Sequence, residues 1–137
     1  MAVVDELIRS EADGTVSFGN YNLAEKSKKS GFMHGGDSYK VKTFNEITKL
    51  ERNDMFVYES VPGTTVSHLN ISGDGVKFSV EGKEDAQITL ELEPEKEYAV
   101  KINGVSTEKV KTNLGGKLVL SVDLSDGKCP EIEVVRQ

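Results

Sequence analysis

The clearest pattern in the chain is the alternation of apolar and polar side chains between Glu97 and Leu124. Tyr98, Val100 and Ile102 lie on one side of a predicted strand, and Asn103-Gly104 follows, a pair that favours a two-residue hairpin turn. Further along, apolar residues again occupy every second position: Leu118, Leu120, Val122 and Leu124. The stretch predicts a hairpin and a following strand that share one buried face.

The second strand of this hairpin needs a correction to its register. A two-residue turn places Val105 opposite Ile102 but leaves Val110 on the polar face. One extra residue between Ser106 and Lys109 would return Val110 to the apolar side. We therefore expect a β-bulge at that point.

The same alternation runs through the middle of the chain. Strands are predicted for Thr64–Ser72, Val76–Glu81 and Gln87–Leu92, with Gly-rich or charged turns between them. Short strands at this turn spacing are typical of a sandwich or barrel, and the lack of helical crossovers favours antiparallel pairing. We predict an all-β, antiparallel β-sandwich that forms one domain over residues 1–137.

The N-terminal third is less regular. Val3–Glu11 could form a short helix of one or two turns, so residues 1–14 are expected to be a frayed or docked segment. Thr15–Gly19 alternates and predicts a first short strand. Residues 22–38 are rich in Lys, Ser and Gly without a period, which predicts a long loop of the kind that often carries function.

Two structures are compatible with the segment that follows Tyr39–Phe44. Glu46–Arg52 and Met55–Val61 can form a hairpin around Asn53-Asp54, with Leu50 facing Val57 and Glu51 facing Phe56. Alternatively, the capping-box pattern that begins at Thr43 predicts a short helix over Phe44–Glu51. We favour the hairpin, because the next segment is strongly β and needs a partner.

Composition narrows the partner classes. The 137 residues carry a formal net charge of −6, which disfavours binding to nucleic acid and to anionic membranes. Cys129 is the only cysteine, and the N-terminus has no signal-peptide pattern, so we expect a cytoplasmic location. No cofactor motif is present, and none is expected.

Features of the C-terminal half resemble a known module type. LELEPEKEYAVKINGV, VKTNLGGKLVLSVDL and EIEVV, within Asp85–Val135, are similar to fibronectin type III or immunoglobulin-like modules appended to bacterial carbohydrate-active enzymes. The resemblance implies a β-sandwich accessory module. The whole chain also resembles short, uncharacterised bacterial proteins labelled endosialidase, a label for which we find no catalytic constellation.

A second resemblance concerns Asn70–Gly75. The segment NISGDG is similar to the N-x-S-x-x-G motif of PilZ domains, which implies binding of cyclic di-GMP. That family also uses an upstream arginine pair, and here Arg9 and Arg52 cannot form one. The alternative interpretation is an ordinary Gly-Asp-Gly hairpin turn.

Candidate site residues lie in the predicted loop and directly beside it. His34 and Asp37 are conceivable acid–base or metal-binding groups, although no second ligand motif accompanies them, and a solvated loop is the simpler interpretation. Phe32, Tyr39 and Tyr21 could stack on a glycan if they are exposed, whereas the absence of Trp counts against glycan binding. His68 is expected at the surface. Many carboxylates, such as those of Glu81, Glu91 and Glu133, fall on outward strand positions and are expected to make a polar sheet face.

These observations predict a non-enzymatic module that binds a protein partner or associates with itself. The alternatives are a carbohydrate-binding accessory module, a cyclic di-GMP-type nucleotide-binding domain, and a small glycan hydrolase that uses acidic residues.

Overall fold

The computed structural model of the protein describes residues 3–137, and its fold is built almost entirely from antiparallel β-strands. The strands are β1 (Ile8–Ser10), β2 (Val16–Phe18), β3 (Ser27–His34), β4 (Asp37–Thr43), β5 (Thr48–Arg52), β6 (Met55–Val61), β7 (Thr65–Ser72), β8 (Gly75–Glu81), β9 (Ala86–Glu91), β10 (Glu97–Ile102), β11 (Val105–Lys111), β12 (Lys117–Val122) and β13 (Glu131–Arg136). One 3₁₀ turn covers Ser125–Gly127.

The strands form two sheets. The seven-stranded sheet has the order β1-β2-β7-β8-β13-β10-β11, and the six-stranded sheet has the order β12-β9-β6-β5-β4-β3. Their inner faces contribute to one buried apolar cluster. Tyr58 of the six-stranded sheet packs edge-on between Phe18 and Phe78 of the other sheet, with ring centres 5.3 and 5.7 Å apart. The predicted antiparallel β-sandwich is therefore confirmed.

The hairpin predicted around Asn103-Gly104 is also confirmed. Val105 pairs with Ile102, and a register shift then leaves Thr107 as the extra residue, so that Val110 pairs with Tyr98. Asn103 and Gly104 adopt positive φ of 53° and 81°, as a tight hairpin turn requires. The predicted bulge therefore lies where Val110 needs it to reach the core side.

The N-terminal helix prediction is wrong. Ile8–Ser10 is strand β1 and pairs with β2, and Leu7 adopts a positive φ of 74° that ends any helical turn. Val4 and Ile8 are buried, and the Val4 amide donates to the Gly19 carbonyl. The segment docks on the sheet over its described part, whereas residues 1 and 2 lie outside the described residues.

The predicted loop over residues 22–38 is also wrong from Ser27 onward. Residues from Ser27 onward form β3, which pairs with β4 around a Gly35-Gly36 turn. β3 is the edge strand of its sheet and is largely exposed on both sides, so it has no apolar alternation to reveal it. Backbone pairing, rather than burial, fixes this strand.

The ambiguity at Phe44–Glu51 resolves as the hairpin. β5 and β6 pair around Asn53-Asp54, and Glu51 faces Phe56 as expected. Leu50 faces Tyr58 rather than Val57, because a register shift lies between Leu50 and Glu51. The shift brings both Leu50 and Tyr58 into the core.

Candidate functional site

The β3–β4 hairpin brings together four of the five residues expected to form a site. Phe32 pairs with Tyr39, and His34 pairs with Asp37 at the turn. A hollow of about 210 Å³ beside the hairpin is lined by His34, Asp37 and Tyr39 together with Arg52 and other residues. Sequence proximity and strand pairing therefore place these side chains at one end of the sandwich.

Both ring nitrogens of His34 are occupied by hydrogen bonds. Nε2 donates to the carbonyl oxygen of Gly14 at 2.9 Å, and Nδ1 lies 2.7 Å from the Ser10 hydroxyl, which donates to it in the neutral ring. The ring also meets Tyr39 edge-on. His34 thus fastens the hairpin to the N-terminal segment, and the expectation of a solvated loop residue is corrected.

Asp37 is likewise part of a structural contact. Its Oδ1 accepts from the side-chain amide of Asn53 at 2.9 Å. The Asn53 side-chain oxygen accepts from the Ser38 amide at 2.9 Å, and the Asn53 amide donates to the Ser38 carbonyl at 2.7 Å. These bonds join the β3–β4 hairpin to the β5–β6 turn, which explains the polar residues there without a ligand.

Tyr21 does not join this group. It lines a different hollow of about 520 Å³ with Glu46, Pro62, Lys83 and other residues. Partial burial is the main cause that raises the pKa of Tyr21, and the negative charge of the nearby Glu81 carboxylate raises it further. The five aromatic and polar residues expected from the sequence therefore do not form one site.

The second histidine lies on the surface, as expected. His68 is exposed, and its Nδ1 is 3.0 Å from Asp13 Oδ2 and 3.1 Å from the Thr15 hydroxyl. Hydrogen bonds from the Thr15 hydroxyl and amide are the main reason that the pKa of Asp13 lies below its usual range, and His68 lowers it further. The cluster joins the β1–β2 turn to the register shift in β7.

The segment that resembles the PilZ motif is a hairpin turn. Ser72 pairs with Gly75 around Gly73-Asp74, and the Asp74 amide donates to the Ser72 hydroxyl. The Asp74 carbonyl accepts from the Arg136 amide at 2.7 Å. Local turn geometry thus accounts for the Gly and Asp residues.

The acidic positions behave unequally. Glu91 pairs with Lys117 at 2.7 Å, and Glu133 lies opposite Lys77 in the sheet. Glu81, expected on an outward face, is buried instead, and burial raises the pKa of its carboxyl. It lies at the end of β8, where Tyr21 and Cys129 are near enough to be affected by its charge.

The feature that sequence reasoning missed is a group of lysines on the outer face of the six-stranded sheet. Lys28, Lys42 and Lys49 are direct register partners on β3, β4 and β5. Lys40 lies beside them, opposite Glu51, and the group surrounds a shallow hollow of about 170 Å³. We call Lys28, Lys40, Lys42 and Lys49 the lysine face.

Electrostatic repulsion is built into this face. The pKa of Lys42 is lowered mainly by partial desolvation, and repulsion from Lys26, Lys49 and Lys28 lowers it further. Among the salt bridges formed by residues 3–137, none involves a lysine of this face. Like charges directly opposite one another on neighbouring strands are destabilising. The arrangement is therefore a basic surface on which like charges oppose one another.

Charge is also divided along the chain. Residues 26–52 carry seven basic and three acidic side chains, a net charge of +4, whereas the rest carry ten basic and twenty, a net charge of −10. The individual lysines are visible in the sequence, but their direct alignment depends on the pairing of β3, which the sequence pattern did not reveal.

The aromatic residues near the lysine face are partly covered by cations. The Phe56 ring has the Lys117 ammonium 3.7 Å from its centre and that of Lys49 at 5.9 Å. Lys26 lies 5.9 Å from the centre of the Phe44 ring. Tyr39, in contrast, is buried. The rings of Phe44 and Phe56 therefore make cation–π contacts and do not form an open stacking platform.

Comparisons with known proteins add little. No family model and no curated protein matches the chain. One solved structure, the secreted serine protease VesC from Vibrio cholerae, aligns over 100% of this chain and 44% of its own length, with 12% identity and a TM-score of 0.22. The chain thus spans less than half of that protein, and a likeness at this TM-score carries no argument about fold or activity.

Two kinds of feature are missing from the part of the chain that the structure describes. No helix within residues 3–137 has the length and apolar character needed to span a bilayer. Over the same part of the chain, His, Cys, Asp and Glu side chains do not gather into a group of three that could hold a metal ion.

Proposed function

We propose that the protein is a non-enzymatic binding module whose lysine face binds an acidic segment of a protein partner. The observation that carries the proposal is the direct alignment of Lys28, Lys42 and Lys49 across three strands, outside any salt bridge of residues 3–137. An acidic partner would relieve their mutual repulsion, which is worth roughly 0.2–1 kcal/mol for each opposed pair.

The geometry suits an extended polypeptide. Adjacent strands lie about 4.8 Å apart, so the three lysines, one on each strand, form a row of closely spaced basic positions. An extended acidic segment presents carboxylates on one side at intervals of roughly 6.6 Å, a spacing that flexible lysine side chains can follow. Complementary charge of this kind accelerates association and selects the partner.

Other anionic partners fit the molecule less well. The net charge of −10 outside residues 26–52 repels long phosphate backbones and anionic bilayers. A glycan partner would normally use an open aromatic platform, and the ring of Phe56 beside the lysine face is covered by Lys117. The acidic polypeptide is therefore the preferred partner.

A non-enzymatic role is supported by the histidine that the sequence offered as an acid–base candidate. Both nitrogens of His34 already hold the hairpin to Ser10 and Gly14. We infer an architectural similarity to immunoglobulin-like accessory modules, although the thirteen strands within residues 3–137 exceed the seven or nine of the immunoglobulin fold. The single, exposed Cys129 supports action in a reducing compartment such as the cytoplasm.

The experiment is a titration of a short fluorescent poly-glutamate peptide, no longer than the lysine face, with the protein at low and at moderate salt. We expect Lys42→Gln/Lys49→Gln to weaken binding roughly tenfold, since each exposed pair contributes about 0.2–1 kcal/mol. The matched control is Lys109→Gln/Lys111→Gln, which removes two exposed lysines from one face of β11.

Equal weakening by the two double variants would show that net charge alone drives binding, and the proposal would fail. A sulfated oligosaccharide or a DNA oligonucleotide that binds the lysine face more tightly than poly-glutamate does would show that the partner class is wrong. Absence of measurable poly-glutamate binding at low salt would also refute it.

A further inference from the structure

The free edges of the two sheets differ in how well they are protected against pairing. Natural edge strands avoid unwanted pairing by being short, charged or bulged. Three of the four outer strands have such features. The strand β1 has only three residues and includes Arg9. Both β3 and β11 are bulged and charged, with Lys28 and Lys29 on β3 and Glu108, Lys109 and Lys111 on β11.

The fourth edge, β12, has none of these protections in its interior. Its pairing with β9 is regular from Lys117 to Val122, and Lys117 is its only charged residue. Val119 lies on the outer face and is 46% exposed. The strand therefore presents a flat, neutral edge.

The backbone groups that are free at this edge can be identified. Gly116 accepts from the Leu92 amide at 2.7 Å, so alternation directs the N–H and C=O of Val119 and Ser121 away from β9. At Lys117 the edge is closed, because Asn113 accepts from its amide at 3.0 Å and donates to its carbonyl at 3.3 Å. Val119 and Ser121 thus provide two donors and two acceptors.

We propose that β12 pairs antiparallel with β12 of a second copy of this chain, with Val119 opposite the partner's Ser121. In this register the free groups of each strand meet those of the other in four hydrogen bonds, and Leu120 lies opposite the partner's Leu120. The two six-stranded sheets become one continuous sheet. Because a single strand supplies both sides of the match, the edge is complementary to itself.

Charge supports a second copy over an unrelated strand. Lys117 begins β12, and Asp123 follows its last residue. In an antiparallel pair of identical strands these opposite charges approach each other at both ends. On the outer face, Val119 lies beside its β9 partner Thr89. Both side chains are uncharged, so no like charges face each other at the centre of the proposed interface.

The interface is separate from the lysine face, which lies on the opposite half of the same sheet. The dimer proposal therefore goes beyond the proposed function and does not depend on it. Lys42→Gln/Lys49→Gln should leave the dimer intact while weakening poly-glutamate binding, which separates the two proposals experimentally.

The test is analytical ultracentrifugation of the full chain over a wide concentration range. We expect a monomer–dimer equilibrium that Val119→Lys weakens roughly tenfold or more. Ser121→Pro should have a similar effect, because it removes an outward-facing donor without disturbing β9. Val105→Lys, at the exposed start of β11, is the matched control and should not change dimerisation. Circular dichroism establishes that each variant is folded.

A cross-link tests the register directly. Val119→Cys/Ser121→Cys in a Cys129→Ser background should give a covalent dimer on oxidation, because directly opposed residues lie about 5.5 Å apart, within disulfide range. A wild-type protein that stays monomeric at all concentrations, a dimer that neither β12 variant weakens, or a double-cysteine variant that forms no covalent dimer would overturn the proposal.

Discussion

Thr48 is the centre of a buried set of hydroxyl hydrogen bonds. Its Oγ1 donates to the Thr64 carbonyl at 2.8 Å, accepts from the Thr64 amide at 3.0 Å, and lies 2.8 Å from the Thr43 hydroxyl. Tyr58 and Ser60 bond in turn to the Thr64 hydroxyl, each at 2.7 Å. All five residues are buried. One hydroxyl therefore satisfies both backbone groups of a neighbouring segment.

Thr48→Val keeps the shape of the side chain and removes this hydroxyl. The amide and carbonyl of Thr64 then stay buried without their partner, at a cost of about 1–3 kcal/mol for each group. The added methyl group recovers about 0.8 kcal/mol. We expect the free energy of unfolding to fall by about 3 kcal/mol and Tm to fall on the order of 10 °C.

Urea denaturation followed by circular dichroism measures this change. Thr89→Val is the matched control, because Thr89 lies on the outer face of the same sheet and should change stability by no more than about 0.5 kcal/mol. A loss below about 1 kcal/mol for Thr48→Val, with an unchanged dependence on urea, would refute the claim that the hydroxyl satisfies buried groups.

Three further changes test other parts of the structure. Gly75→Ala should destabilise the protein by about 3 kcal/mol in urea denaturation, since its Cβ would lie 1.8 Å from the Val134 carbonyl oxygen; a neutral result would disprove this close approach. His34→Ala should cost about 1–2 kcal/mol in the same assay, and wild-type stability would show that its two hydrogen bonds are immaterial. The Lys128 ammonium, followed by Ser125, holds the pKa of Asp123 below its usual range, so this stabilisation is present above about pH 4 and is lost as pH falls through the lowered pKa. Asp123→Asn should therefore reduce the pH dependence of Tm on the acid side, and an unchanged acid profile would contradict this role.

The sequence was informative where one face of a strand is buried. Val100 and Leu120 were assigned to the core from alternation alone, and both are almost fully buried. The bulge in β11 was predictable for the same reason, because Val110 had to return to the core side. Burial on a period of two fixes both the strand and its register.

The remaining elements depend on contacts between distant segments. β3 is exposed on both sides and is held by backbone pairing with β4, so its composition resembles that of a loop. The short β1 exists because Val4, Ile8 and their neighbours dock against the sheet, which overrides a marginal local helix preference. The lysine face follows from the same pairing and was therefore equally hidden.

The separation of charge along the chain leaves one basic segment in a molecule that is otherwise strongly acidic. Residues 26–52 carry +4, and the remainder carries −10. Retention on an ion-exchange column depends on the patch that meets the resin rather than on the average charge of the molecule. The protein, with a sequence pI near 5.0, should therefore be retained by an anion exchanger at neutral pH and low salt through its acidic remainder, with its lysine-rich side turned away from the matrix.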